Sequence, residues 1–285
     1  MSSDRKTGTP KDSHYARLRR AHRDREGPAA SQDRGAAADA PPPEGQVRLY
    51  GLHTVRAALD NPARKIRRMM VTRNALARLG LEEPLSLPFP SQVVEPRDID
   101  RLVGPDAVHQ GVLVDAETLR PKPLAALGAT QLVLVLDQVT DPHNVGAIMR
   151  SAVAFGAGAL VTTARHSPAE SGVLAKAASG ALEHIDHIEV RNLAEALETL
   201  HEAGFQTIGL DSEGPDELEQ TFSGDRIVLV LGAEGKGLRQ KTRQTVNALA
   251  RLDMPGVIRS LNVSNAAAVS LYAARKHLGQ SDAAR

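Results

Sequence analysis

Leu132-Val-Leu-Val-Leu-Asp137-Gln-Val-Thr-Asp-Pro142-His-Asn144-Val-Gly-Ala-Ile-Met-Arg150 is an apolar run that stops at an aspartate and turns directly into a helix. Five consecutive aliphatic residues suit a strand buried on both faces, as in a parallel sheet covered by helices. Pro142 suits the first turn of the helix that follows, where its missing N–H costs nothing. Two more segments repeat this shape: Ile227–Leu231 runs into Gly232-Ala-Glu-Gly-Lys-Gly237, and Ala248–Leu252 into Met254-Pro-Gly-Val-Ile-Arg-Ser-Leu-Asn262-Val-Ser264. Open α/β sheets place ligands outside the carboxyl ends of their strands. Three polar, glycine-bearing strand ends in one domain therefore predict a single composite site.

Around these segments the chain alternates strand and helix. Leu160–Thr163, Ile185–Val190 and Gln206–Leu210 read as further strands, and a last helix starts near Ser264 and runs to about Leu278. Ser167-Pro-Ala-Glu170 and Asn192-Leu-Ala-Glu195 both carry capping-box spacing, which predicts a helix start at each. Such alternation implies a parallel sheet with helices on its faces.

Upstream lies a smaller α/β region. Tyr50–Leu59 has helical spacing, with Leu52, Val55, Ala58 and Leu59 on one face. Ile66–Thr72, Gln92–Val94 and Gly111–Asp115 read as strands, and Arg97–Val103 as a short helix. Pro121 and Pro123 mark the boundary. Residues 1–45 hold almost no large apolar side chain and end in a proline run. That composition predicts a disordered tail. The expected domains are thus 1–45 (tail), 46–120 (small α/β domain), 121–130 (linker) and 131–280 (parallel-sheet domain).

Composition narrows the chemistry. Cysteine is absent, so there is neither a disulfide framework nor a thiolate metal site. The ten histidines show no metal-binding spacing, and no metal is expected. No apolar segment resembles a secretory signal or a membrane span, and a cytoplasmic protein is expected. With three Tyr, four Phe and no Trp, binding of RNA by aromatic stacking is disfavoured. Two basic stretches stand out: Asn61–Leu81 contains Arg64, Lys65, Arg67 and Arg68, and Lys236–Arg251 contains Lys236 and Arg239. These six are the candidate phosphate contacts. The Gly232–Gly237 turn lacks the Gly-Lys-Ser/Thr ending of a P-loop and the spacing of a dinucleotide fingerprint. Asn144 and Arg150 sit in one predicted helix, and Arg150 admits two readings: a functional cation, or a structural partner of Asp137 or Asp141. Asn262 or Ser264 suits the cap of the last helix.

The three segments resemble the three motifs of the SPOUT superfamily of RNA methyltransferases, in its TrmH/RlmB branch of ribose 2′-O-methyltransferases, over about 48–278. Leu49-Tyr-Gly-Leu-His53 and His109-Gln-Gly-Val112 resemble the ends of the small L30e-like RNA-binding domain of that branch, and Ala175–Glu183 resembles another of its segments. The resemblance implies a C-terminal trefoil knot, a homodimer whose active site draws on both subunits, and S-adenosyl-L-methionine as cofactor. It implies ribosomal RNA as the substrate, specifically a guanosine of 23S rRNA. By position, it assigns cofactor contacts to Leu210, Asp211, Leu231, Gly232, Gly235, Leu252, Met254, Ser260, Leu261 and Asn262. It assigns catalysis to Asn144, Arg150, Glu234, Ser260 and Asn262, with Arg150 as base or phosphate anchor. Pro255, Arg259 and Asn265 depart from the usual motif residues. The alternatives are a tRNA methyltransferase of the same fold, and an RNA-binding module without catalysis.

Overall fold

The computed structural model describes residues 42–82 and 86–283, which belong to one compact unit. Most of the tail expected over 1–45 lies outside the described residues. Two sheets organise the unit. In the small one, β1 (Gln46–Tyr50), β4 (Val112–Glu117), β2 (Ile66–Val71) and β3 (Ser91–Val93) lie in the order β1-β4-β2-β3, antiparallel except for the parallel β2–β3 pair. Val47, Leu49, Met69, Val71, Val112, Val114 and Ala116 are all buried. The helix Leu52–Asp60 buries Leu52, Val55 and Ala58 in the same core.

Two elements here have little sequence signal. Strand β1 is five residues long and turns into a helix across Gly51, so its alternation is cut short. Helix Arg73–Leu79 is less than two full turns and opens on Arg-Asn. Its ends hold it: the Thr72 hydroxyl accepts from the Ala75 amide at 3.3 Å, and Gly80 takes the left-handed conformation.

The large sheet has seven strands in the order β7-β6-β5-β10-β8-β11-β9, every pair parallel. They are β5 (Leu132–Asp137), β6 (Ala159–Thr163), β7 (Asp186–Val190), β8 (Gln206–Leu210), β9 (Asp216–Glu217), β10 (Ile227–Gly232) and β11 (Ala248–Arg251). The late strand β10 sits between β5 and β8, so the three predicted strand ends converge. One face of the sheet packs on the helices Pro142–Ala154 and Val263–Ala283, the other on Leu193–Glu202. Coverage on both faces explains why β5 and β10 read as unbroken apolar runs. The core on the first face continues into the small sheet, from Leu134 and Met149 through Leu174 and Ala178 to Val47 and Val55.

The two capping-box patterns fare differently. Asn192 caps its helix, accepting from the Ala194 amide at 3.1 Å and donating to Glu195 at 2.7 Å. The expected start at Ser167–Glu170 does not form; the helix is Gly172–Ala178, with Ser171 accepting from the Leu174 amide. Glu170 is drawn instead to the buried Arg64, at 2.7 Å. A buried guanidinium left unpaired costs far more than a helix cap returns.

Candidate active site

Asp141 sets the first arm of the site. Its carboxylate accepts from the amides of His143 and Asn144, fixing the start of the Pro142–Ala154 helix. Asn144 therefore stands in the first turn, at the carboxyl end of β5. Glu234 comes from the turn after β10, which is tight: the Gly237 amide donates to the Ala233 carbonyl at 2.9 Å. A Cβ on Gly232 would lie 2.1 Å from the Gly237 carbonyl carbon, so only glycine fits there. Asn262 comes from the loop after β11 and caps the last helix, accepting from the Ser264 amide at 2.9 Å.

These side chains meet across the three loops. The Asn144 amide donates to Glu234 Oε1 at 3.1 Å, and Asn262 donates to the same oxygen at 2.7 Å and to Asn144 Oδ1 at 3.0 Å. The Val263 amide adds a third donor to Glu234 Oε1, at 3.3 Å. Glu234 Oε2 has no partner among the described residues. The cluster is exposed, so the free oxygen is open to a ligand. One composite site is what the three strand ends predict.

Arg150 lies farther along the helix, about 9 Å from Asn144 in axial rise. It is exposed, and its guanidinium has no hydrogen bond or ion pair among the described residues. The two structural partners proposed for it are otherwise engaged: Asp141 caps the helix, and the buried Asp137 accepts from Arg239 Nε at 2.6 Å and from its amide at 3.0 Å. Neither Asp137 nor Asp141 is paired with Arg150 among the described residues.

The expected cofactor positions fall on neighbouring strand ends. β10, β8 and β11 are adjacent, and Leu210, Gly232 and Leu252 lie at or just after their carboxyl ends. Leu231 points into the core at 2% exposure, so it offers a ligand only its main chain. Asp211 is engaged by Arg243 and by the Glu213 amide. Gly235 adopts positive φ at the turn. Among the described residues no backbone–backbone hydrogen bond is made from Asp253 to Leu261, which leaves main-chain donors and acceptors there open to a ligand, Met254 included. The Ser260 hydroxyl is likewise without a partner among the described residues, and Leu261 is 45% exposed. Free amides, free carbonyls and an exposed apolar side chain beside glycine backbone fit a flat heteroaromatic ring with a polar edge.

The expected phosphate contacts divide. Arg64 is a correction: its side chain has 0% exposure and is held by Glu170 and Glu183, so it cannot meet a phosphate. Sequence cannot distinguish it from its neighbours, because its acidic partners lie more than a hundred residues away. Lys65, Arg67 and Arg68 are exposed, but Lys65 and Arg67 face Glu117 and Arg68 faces Asp115. Arg239 is tied through Nε to Asp137, with its side chain 42% exposed. Lys236 is exposed, beside the site, and without an ionic partner among the described residues.

A cavity of about 1010 Å³ lies elsewhere, between the two sheets, lined in part by Lys65, Met149, Glu170, Glu183 and His187. It shares no residue with the Asn144–Glu234–Asn262 cluster. Burial lowers the pKa of His187 and keeps it neutral against the Thr162 hydroxyl, 2.8 Å away. Among the described residues no cluster of metal-ligating side chains occurs, and no helix is long and apolar enough to cross a membrane.

The SpoU rRNA Methylase family pattern matches residues 131–272, and the pattern for RNA 2′-O ribose methyltransferase substrate binding matches 48–122. The chain is similar to a 23S rRNA (guanosine-2′-O-)-methyltransferase RlmB of Pseudomonas putida, 35% identical over 80% of this chain and 95% of that one. It is also similar to an RlmB of Ralstonia nicotianae, 37% identical over 79% and 94%. Among solved structures, an AdoMet-bound rRNA methyltransferase from Sinorhizobium meliloti superposes with a TM-score of 0.67 at 25% identity, over 82% of this chain and 88% of that one.

Proposed function

The chain belongs to the SpoU rRNA methylase family, and we propose that it transfers a methyl group from S-adenosyl-L-methionine to the ribose 2′-hydroxyl of a guanosine in 23S ribosomal RNA. The observation that carries the reading is the hydrogen-bonded meeting of Asn144, Glu234 and Asn262, drawn from three distant loops onto one exposed site. That constellation coexists with the substrate-binding pattern over 48–122, and the similarity to the RlmB relatives runs along almost their full length. The RlmB relatives favour this substrate over a tRNA.

The cofactor supplies an activated methyl group on a sulfonium. The open backbone of 253–261, Gly232 and the strand ends at Leu210 and Leu252 would hold it, with Leu261 against its apolar surface. The protein's work is to align the 2′-hydroxyl with that methyl and take up a proton. Glu234 Oε1 is saturated by three donors, which fixes the carboxylate and leaves Oε2 to accept from the hydroxyl. Asn144 and Asn262 hold that orientation. Arg150 is exposed and has no ionic partner among the described residues, so its planar donor fork is open to an anion. It anchors the phosphate beside the reacting ribose.

The same reading includes a homodimer, a C-terminal trefoil knot, the division into domains at 121–130, and a cytoplasmic location. The dimer is supported by exposed apolar side chains on the last loop and helix: Val257, Ile258, Leu261, Val269 and Tyr272. The deciding experiment maps 2′-O-methyl groups in total RNA with and without the gene, alongside calorimetry of the purified protein with S-adenosyl-L-methionine. Loss of one 23S guanosine methylation together with cofactor binding is expected. An unchanged rRNA map with loss of a tRNA methylation would overturn the substrate.

A further inference from the structure

The buried network around Arg64 joins the two sheets. Arg64 follows the first helix of the small sheet, whereas Glu170 and Glu183 belong to the segment between β6 and β7 of the large one. Nη2 lies 2.6 Å from Glu183 Oε1, and Nε lies 3.0 and 3.2 Å from its two oxygens. Nη1 reaches Glu170 at 2.7 Å and the Glu117 carbonyl at 2.8 Å. The remaining oxygens are taken too: Asn61 donates to Glu183 Oε2 at 2.6 Å, and the Leu119 amide to Glu170 Oε2 at 2.7 Å. Burial raises the Glu170 pKa, while the Arg64 charge opposes that rise.

The opposite end of the same contact has its own polar clasp. Lys176 Nζ donates to Gln110 Oε1 at 2.9 Å, and that oxygen also accepts from the Leu52 amide at 3.1 Å. Gln110 is held at φ 55°, and a Cβ on Gly51 would lie 2.3 Å from Lys176 Nζ. Between the ends, the Thr54 hydroxyl donates to the Ala175 carbonyl at 3.2 Å. A Cβ on Gly172 would lie 2.5 Å from the Arg48 carbonyl oxygen, and one on Gly180 2.9 Å from Ala57 Cβ. Leu49–His53 and His109–Val112, which resemblance assigns to an RNA-binding domain, thus contribute to this seat.

We propose that Arg64, through Glu170 and Glu183, is a positioning residue of the methylation reaction: it locks the four-stranded part onto the seven-stranded part at one setting, so that RNA held by the former presents its ribose to the Asn144–Glu234–Asn262 site. The proposal rests on the methyltransferase reading. Apolar contact is non-directional and tolerates sliding. A bidentate arginine–carboxylate pair in which each nitrogen and each carboxylate oxygen has a partner is directional, and its value lies in geometry more than in net stability. Misplacing reactants by about 1 Å costs about a hundredfold in rate.

The absence of cysteine makes the test direct. Arg97→Cys in the four-stranded part and Arg191→Cys just after β7 of the seven-stranded part, both at exposed positions, take spin labels whose distance distribution reports the setting. The parent is expected to give one narrow distance. Arg64→Ala and Glu183→Gln are expected to broaden it and to lower kcat by about a hundredfold, with Kd for S-adenosyl-L-methionine and for RNA within twofold; Arg64→Lys recovers part of the rate. A narrow distribution with parental kcat in these variants overturns the proposal, as does a broad one with parental kcat. If Arg64→Ala does not fold, Glu183→Gln and Glu170→Gln decide, since each keeps the shape and removes one charge; parental kcat in both refutes the role. A parent that methylates no rRNA refutes the functional reading instead, and the label distances still report whether the lock holds.

Discussion

Arg64 and Arg150 are the same side chain in two opposite situations. Arg64 is fully buried, with both carboxylate partners within 2.7 Å. Arg150 is exposed on a helix face with no partner among the described residues. A saturated guanidinium holds two parts of a protein together, whereas an unsaturated one in a solvated site is available to an incoming phosphate. Glu183 and Glu234 divide in the same way. Glu183 has both oxygens occupied and is buried, while Glu234 uses one oxygen to fix itself and keeps the other free. Spare hydrogen-bonding capacity, rather than charge, separates the candidate reacting region from the holding region.

The sharpest way to break this contrast is Arg150→Ala. It is expected to lower kcat by about a hundred- to a thousandfold, the range found when a single preorganised electrostatic contact is removed, with the melting temperature and cofactor Kd unchanged. A variant that loses folding instead would make Arg150 structural after all. Glu183→Ala is expected to destabilise the fold by about 3–5 kcal/mol, because it strips a buried cation of its main partner. Glu234→Ala, at an exposed site, should change denaturant stability by less than about 1 kcal/mol while costing most of the activity. Equal stability losses in the two would erase the distinction.

Gly232→Ala probes the tight turn beneath Glu234. Its new Cβ would meet backbone, which cannot rotate away, and overpacking of this kind costs about 1–3 kcal/mol. Cofactor binding should fall with it; normal calorimetric affinity would place the cofactor elsewhere. Lys236→Ala is expected to weaken RNA binding evenly across sequences and to reduce the salt slope by about one. No change in slope would remove Lys236 from the RNA track.

The smallest effect concerns acid stability. The folded pKa of His187 lies below its unfolded value because the ring is buried. Its neutral form therefore stabilises the fold fully above the unfolded pKa of about 6.5, and that contribution fades as pH falls below it towards the folded value. His187→Gln should flatten this part of the stability–pH curve, measured by urea unfolding from pH 7.5 to 5. An unchanged slope would mean that the ring takes up its proton in the folded state as easily as in the unfolded one.

Much of the site was legible from sequence because it is written in local signals. Long apolar runs mark β5 and β10, Pro142 marks a helix start, and polar residues directly after a strand mark its carboxyl edge. These rest on periodicity and on the conformational limits of proline, both of which act within a few residues. Which motif loops meet, and through which atoms, depends on β10 entering between β5 and β8, a matter of pairing between distant segments. The Ser167–Glu170 pattern carried the same local signal as Asn192–Glu195, and only the second formed. Its glutamate was claimed by Arg64, 106 residues away in sequence. Sequence alone determined that this protein has a parallel-sheet domain with one composite site at its strand ends. Tertiary structure alone decided which charges are free to act, because a charge's partners are set by the three-dimensional path of the chain and by the cost of burying it unpaired.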